Sequence, residues 1–284
     1  MMRDTVRLVT VETVGRTPET AAGAVLSLVL GFLLLSATVL GPLFMDRIRF
    51  HMSSDALVQY VGGEVVTAIV AVLLMVSAPA WWLGQQWPSA VAAGAAAYVV
   101  YTIATVVAGQ EYSRYSGNAE KAFLLYAAIT AAGVALLVIS FRTLIDIGDL
   151  SGPRQGTGWV LVAIGAIVAL LWLGQVAGFY RTGPTQEYQT ATSLFWLIKY
   201  LDLGFVIPLT LITGLLQRTP SPGTDAAAVT MLGFLSLLLA ALLFMALEML
   251  RRETPGASWA LAFGVMLLLA PSAAVWTRWL ISRD

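Results

Sequence analysis

The chain has 284 residues, 58% of them hydrophobic and only 11% charged, with a mean hydropathy of +0.82. Soluble domains carry roughly 25% charged residues, so this much apolar surface needs lipid to cover it. Sixteen lysines and arginines balance sixteen acids, leaving no charge excess to recommend nucleic acid or an anionic membrane surface as principal partner. Zero cysteines exclude disulfides, thiolate metal sites and cysteine nucleophiles, and a single histidine, His51, excludes histidine clusters and with them most zinc and haem arrangements.

The first twenty or so residues are polar to mixed, with Arg3, Arg7 and Arg16 set among Asp4, Glu12 and Glu19. The acids argue against an organellar transit peptide. Residues 1–21 therefore read as an N-terminal polar segment, and residues 22–280 as a transmembrane domain. Its first apolar run, Ala22 to Phe44, exceeds the roughly 7 to 15 residues of a signal-peptide core, which makes it a retained span. Seven more runs reach the length of about 20 residues that a bilayer core demands. They are Tyr60 to Trp82, Ser89 to Gly109, Lys121 to Phe141, Gly158 to Phe179, Leu194 to Leu216, Ala226 to Met249 and Ser258 to Leu280. Each is continuously apolar and lacks the two-residue alternation of a barrel strand. The expected fold is all-α, a polytopic bundle of eight transmembrane helices with both termini on one face.

Trp81, Trp82, Trp87, Trp159, Trp196, Trp259, Trp276 and Trp279 fall near span ends, where interface anchoring is the expected role. Ala92, Ala93, Gly94, Ala95, Ala96 and Ala97 crowd the third span; small residues permit close helix approach and place this span inside the bundle. Orientation is undecided by charge. Arg3, Arg7, Arg16, Arg142, Arg154, Arg218, Arg278 and Arg283 on the face of the termini meet Arg47, Arg49, Arg114, Lys121, Arg181, Arg251 and Arg252 on the far face. The three arginines before the first span tilt the reading toward termini inside.

Polar residues at unusual depth gather toward the far face: Glu64 early in the second span, Glu111 and Tyr112 after the third, Asn118, Glu120 and Lys121 before the fourth, Glu187 before the sixth, and Glu248 with Arg251 and Arg252 ending the seventh. In the stretch Phe195 to Pro208 of the sixth span, Lys199 and Asp202 lie about 8 and 12 Å inside Leu194 at 1.5 Å per residue. A charge at that depth costs at least about 2.5 kcal/mol and must face protein or water. Three residues apart, the two can partly satisfy each other. Glu64, in Val61-Gly62-Gly63-Glu64, is the expected partner of Lys199 from another helix, directly or through water. Pro208 can kink the sixth span, and Tyr98, Tyr101 and Thr105 form a stripe that can line the same space. Glu64, Lys199 and Asp202, with Tyr101, Glu111 and Asn118 at the mouth, are the candidate binding or pathway residues. Each has a plainer alternative: an inter-helix staple for Lys199 and Asp202, headgroup contact for Glu64, packing for the tyrosines, a solvated or interfacial ring for His51.

Phosphate-binding loops, dinucleotide fingerprints, zinc-protease motifs and nucleophile elbows are absent from the sequence. No catalytic residue, metal ligand or cofactor is therefore assigned. Gly62-Gly63-Glu64, Tyr98, Tyr101, Asn118 ahead of Phe123-Leu124-Leu125-Tyr126, Asp202-Leu203-Gly204, Pro208 and Leu215-Leu216-Gln217-Arg218 together give a pattern that resembles a widespread family of uncharacterised bacterial multi-pass membrane proteins. The resemblance runs from about Val58 to Gly223. It implies an eight-span inner-membrane protein and supplies no activity, substrate or catalytic residue. Three roles stay open: handling of a small solute or ion through a far-face cavity, a structural, accessory or sensory role in which the charges serve helix packing, and a membrane-embedded enzyme. The bilayer is the one partner all three share.

Overall fold

Residues 17–148, 152–219 and 221–281 are described by the computed structural model. Arg3, Arg7, Arg16 and Arg283, and with them most of the N-terminal polar segment, lie outside the described residues. All eight expected spans are helical and apolar enough to cross a membrane. They are α1 (Pro18–Leu40), α2 (Ser54–Trp82), α3 (Trp87–Ala108), α4 (Phe123–Ile147), α5 (Arg154–Thr182), a sixth built from α7 (Thr192–Leu201) and α8 (Ile207–Leu216), then α9 (Pro222–Arg251) and α10 (Trp259–Ile281). A short α6 (Gln186–Thr190) precedes α7 on the far face, and a 3₁₀ turn, Ala119–Ala122, leads into α4.

Local chemistry sets where these helices start and stop. Thr17 and Ser221 cap α1 and α9 by accepting from Thr20 and Thr224 backbone N–H groups, each followed by a proline in the first helical turn, where a missing N–H costs nothing. Gly148 and Gly183 end α4 and α5 at φ of +82° and +87°, a conformation that favours glycine. The first span begins earlier than the hydropathy suggests and ends at Leu40, because the chain turns back over residues 41–45, Phe44 among them.

α9 runs through the centre, packed against α2, α3 and α10. A Cβ on Gly94 of α3 would lie 2.7 Å from the Cα of Gly233 on α9, and one on Gly62 of α2 would lie 2.6 Å from the Phe244 carbonyl of α9. Glycine is required at both because two backbones touch there. Ala92, Ala93, Ala95 and Ala96 are fully buried, so α3 is interior, as its small residues implied.

The tryptophans divide, and three of them correct the expectation of interface anchoring. Trp81, Trp276 and Trp279 are buried. Each ring fills a space that a glycine leaves open: Trp81 at Gly23, Trp276 at Gly233, Trp279 at Gly152. The indole N–H of Trp279 donates to Thr157 Oγ1 at 2.8 Å. Position near a span end thus says little about a ring that finds a glycine opposite. Trp159 and Trp259 are exposed at the ends of α5 and α10 and fit the anchoring role.

On the far face the loop after α1 and the loop after α3 are stitched together. Asn118 accepts from the Arg49 N–H at 2.7 Å and donates to the Arg47 carbonyl, while Gln110 accepts from the His51 N–H at 2.8 Å. The second loop continues across to α6 and α7: Tyr115 donates to the Thr190 carbonyl, Arg114 to that of Gln189, and Glu111 accepts from the Ser193 N–H. This lattice fixes the entrance of the sixth span.

Candidate functional site within the far half of the bundle

The sixth span does not run as a regular α-helix. Pro208 has no N–H to give the Gly204 carbonyl four residues back, and its ring crowds that carbonyl. The chain responds one turn earlier: Asp202–Val206 is π-helical, with the Ile207 N–H bonded to the Asp202 carbonyl five residues back. Such bulges place side chains at positions a regular helix cannot offer. Here the first residue of the bulge is Asp202.

Asp202 is buried, and both carboxylate oxygens are engaged. Tyr101 on α3 donates to Oδ1 at 2.7 Å and the Trp172 indole on α5 donates to Oδ2 at 2.7 Å. Charge-assisted bonds from two helices satisfy the carboxylate without a cation, and they tie α3, α5 and the sixth span to one point. Lys199 lies on the preceding turn, 2% exposed. Its ammonium sits 3.5 Å from the Phe195 ring centroid and 4.5 Å from that of Trp172, a cation held between aromatic faces. Its charged neighbour is Glu187 on α6, at 3.9 Å. None of its three donors has a hydrogen-bond acceptor. Gln175, one turn beyond Trp172 on α5, likewise has a buried carbonyl oxygen without a donor.

Two expected pairings are corrected. Lys199 and Asp202 form no ion pair: the long lysine leans toward its helix N-terminus, the direction side chains take in a helix, and arrives beside Glu187. Asp202 is meanwhile captured by neutral donors. Nor does Glu64 pair with Lys199. Glu64 is 5% exposed, but its carboxylate accepts from the Leu43 N–H at 3.1 Å in the turn after α1, and it lies so close to Gly41 that a Cβ there would meet Oε1 at 2.7 Å. Glu64 secures the end of α1 against α2.

Of the candidate residues, the fold brings together Lys199, Asp202 and Tyr101. Glu111 stands at the entrance, holding the first turn of α7 through the Ser193 N–H at 2.6 Å. Asn118 serves the loop lattice, away from Lys199. The tyrosine stripe splits: Tyr98 is bonded to Thr67 on α2 at 3.0 Å, and Thr105 turns back onto the Thr102 carbonyl. Glu248 clusters with Arg251 and Arg252 at the end of α9. His51 is buried rather than solvated, its ring between the Tyr115 carbonyl and Glu120.

Sequence reasoning missed Trp172 and undervalued Glu187. A tryptophan at mid-span, far from either interface, was the available signal for the first. Glu187 gave none, since only the turn through α6 carries it back over Lys199. Among the described residues no three His, Asp or Glu side chains converge in a way that could hold a metal ion. No protein-family model matches this chain, and neither a curated protein nor a solved structure does.

Proposed function

We propose that this multi-pass membrane protein handles a small solute or ion from the far face of a bacterial inner membrane, and that the species it takes presents a hydrogen-bond acceptor, an anion in the simplest case, to Lys199. The observation that carries the reading is the Lys199 ammonium: enclosed in the bundle, with three donors and no acceptor for any of them. Leaving buried donors unmade costs more than an ordinary hydrogen bond gains, so the position makes sense for a group that receives a partner. Glu187, with its side chain 54% exposed, marks the approach. At 3.9 Å the ion pair is beyond hydrogen-bond reach, so an incoming acceptor displaces no hydrogen bond there. Asp202, already satisfied by Tyr101 and Trp172, orients the indole that forms one wall beside Lys199. Continuous apolar helices suit an inner membrane, whereas outer membranes are crossed by barrels.

The test is chloride and acetate efflux from proteoliposomes holding the full chain. Lys199→Met is expected to reduce flux at least about tenfold, the loss of one charge-assisted bond, while helix content and monodispersity stay as in the wild type. Undiminished flux in that variant, or none in the wild type for either anion, rejects the reading. A second reading, a structural or accessory protein, is favoured by the way Asp202 ties three helices together. It predicts that Asp202→Asn fails to accumulate while Lys199→Met is silent in every assay.

A further inference from the structure

At the opposite end of the molecule, α5 and α8 cross at Gly158 and Gly214. A Cβ on either would lie within 2.8 to 2.9 Å of the other's carbonyl oxygen, so the backbones are in contact. Beside this crossing lies a cavity of about 580 Å³, lined among others by Gln155, Trp159, Val162, Leu215, Gln217 and Arg218. This end of α5 carries an exposed tryptophan, Trp159, which places it at headgroup level.

Three features give the cavity its chemistry. Arg218 has its guanidinium 5.7 Å from the Trp159 ring centroid and makes no ion pair among the described residues. Arg154, also in the wall, is bonded to Asp225 at 2.7 Å, so among the described lining residues Arg218 is the cation that has no ion pair. Gln217 is 5% exposed; its amide nitrogen donates to the Thr224 carbonyl at 2.9 Å, which fixes the amide, and its oxygen has no donor. Among the described residues the wall therefore offers one cation without an ion pair and one amide oxygen without a donor. Val162 and Leu215 supply an apolar floor, and Leu215 is 50% exposed toward the bilayer.

We propose that this cavity is a binding site for the headgroup of a phosphatidylglycerol-type lipid. The monoanionic phosphodiester meets Arg218, a glycerol hydroxyl donates to Gln217, and the acyl chains leave along Val162 and Leu215 into the membrane. Basic recesses between transmembrane helices recognise lipid headgroups by this kind of charge match. The apolar floor selects a lipid over a soluble phosphate. A phosphatidylcholine headgroup fits neither requirement, since it is net neutral and has no donor. The site is independent of Lys199 and stands whether or not the protein moves a solute.

Lipid retention on the detergent-purified full chain, read by native mass spectrometry, tests it. Phosphatidylglycerol is expected to be retained about tenfold over phosphatidylcholine, and Arg218→Gln to erase that preference. Arg142→Gln, which removes an exposed charge from the same membrane face, is expected to leave it intact. Equal retention of the two lipids, an unaffected Arg218→Gln, or an equal loss in Arg142→Gln would each overturn the site. Glycerol 1-phosphate competing as well as the lipid would make the cavity a soluble-phosphate site and overturn it too.

Discussion

His51 shows how little a residue's identity says before its neighbours are known. Its Nδ1 lies 2.7 Å from the Tyr115 carbonyl and its Nε2 2.8 Å from Glu120 Oε2. Both ring nitrogens face acceptors, an arrangement that only the doubly protonated imidazolium satisfies. Burial opposes the charge, but the bonds to Glu120 and to the Tyr115 carbonyl outweigh it and raise the pKa above its ordinary 6.5. The Tyr112 ring lies 5.0 Å away between centroids, and Glu111 donates its backbone N–H to the His51 carbonyl at 2.8 Å. Because the folded value exceeds the unfolded one, the clamp stabilises fully below about pH 6.5 and is lost as pH rises through the folded value. The thermal midpoint of the wild type is therefore expected to fall more steeply than that of His51→Gln as pH rises from about 6.5 through the folded value. Scanning fluorimetry of both proteins over that range provides the check; parallel curves would mean the ring does not titrate as described.

At the scale of elements, the decisive feature is the π-helical turn ahead of Pro208. It exists because proline withholds a donor, and it sets the rotation at which Asp202 meets Tyr101 and Trp172. Pro208→Ala restores an N–H to the Gly204 carbonyl and allows a regular helix to compete with the bulge. Hydrogen exchange at the amides of residues 204–207 is expected to slow in that variant. The Tyr101 and Trp172 bonds to Asp202 are expected to weaken with it, seen as a shift in indole fluorescence. Faster exchange there would show that the bulge has another origin. The proline and the aspartate were both legible in the sequence. Their consequence was not, because a kink and a π-bulge begin from the same missing N–H and differ only in how the neighbouring helices accept it.

For the whole molecule, the question is how the outer helices attach to the α2, α3 and α9 core. α5 reaches α9 through the Arg154–Asp225 pair, in which the carboxylate is 1% exposed and the guanidinium 34%. Removing the cation leaves a carboxylate that is 1% exposed without its charge partner, whereas removing the carboxylate leaves an arginine side chain that water already reaches, at 34% exposure. Arg154→Met is therefore expected to cost about 3 kcal/mol and Asp225→Asn about 1 kcal/mol. Denaturant unfolding in mixed micelles measures both, and the reverse order would place the burial on the other partner.

The sequence by itself determined eight helical spans, the interior position of the third, and the presence of charges that lipid would not tolerate. These follow from hydropathy, length and side-chain size, all of which are local. Which charges meet was decided only by the tertiary structure. Lys199, Asp202 and Tyr101 converge because α3, α5 and the sixth span pack together, whereas Glu64, at a similar depth, faces a turn after α1. Depth is a one-dimensional quantity that a chain displays in its spacing. Azimuth around the bundle is set by which glycines let two backbones touch, and no stretch of residues states that alone.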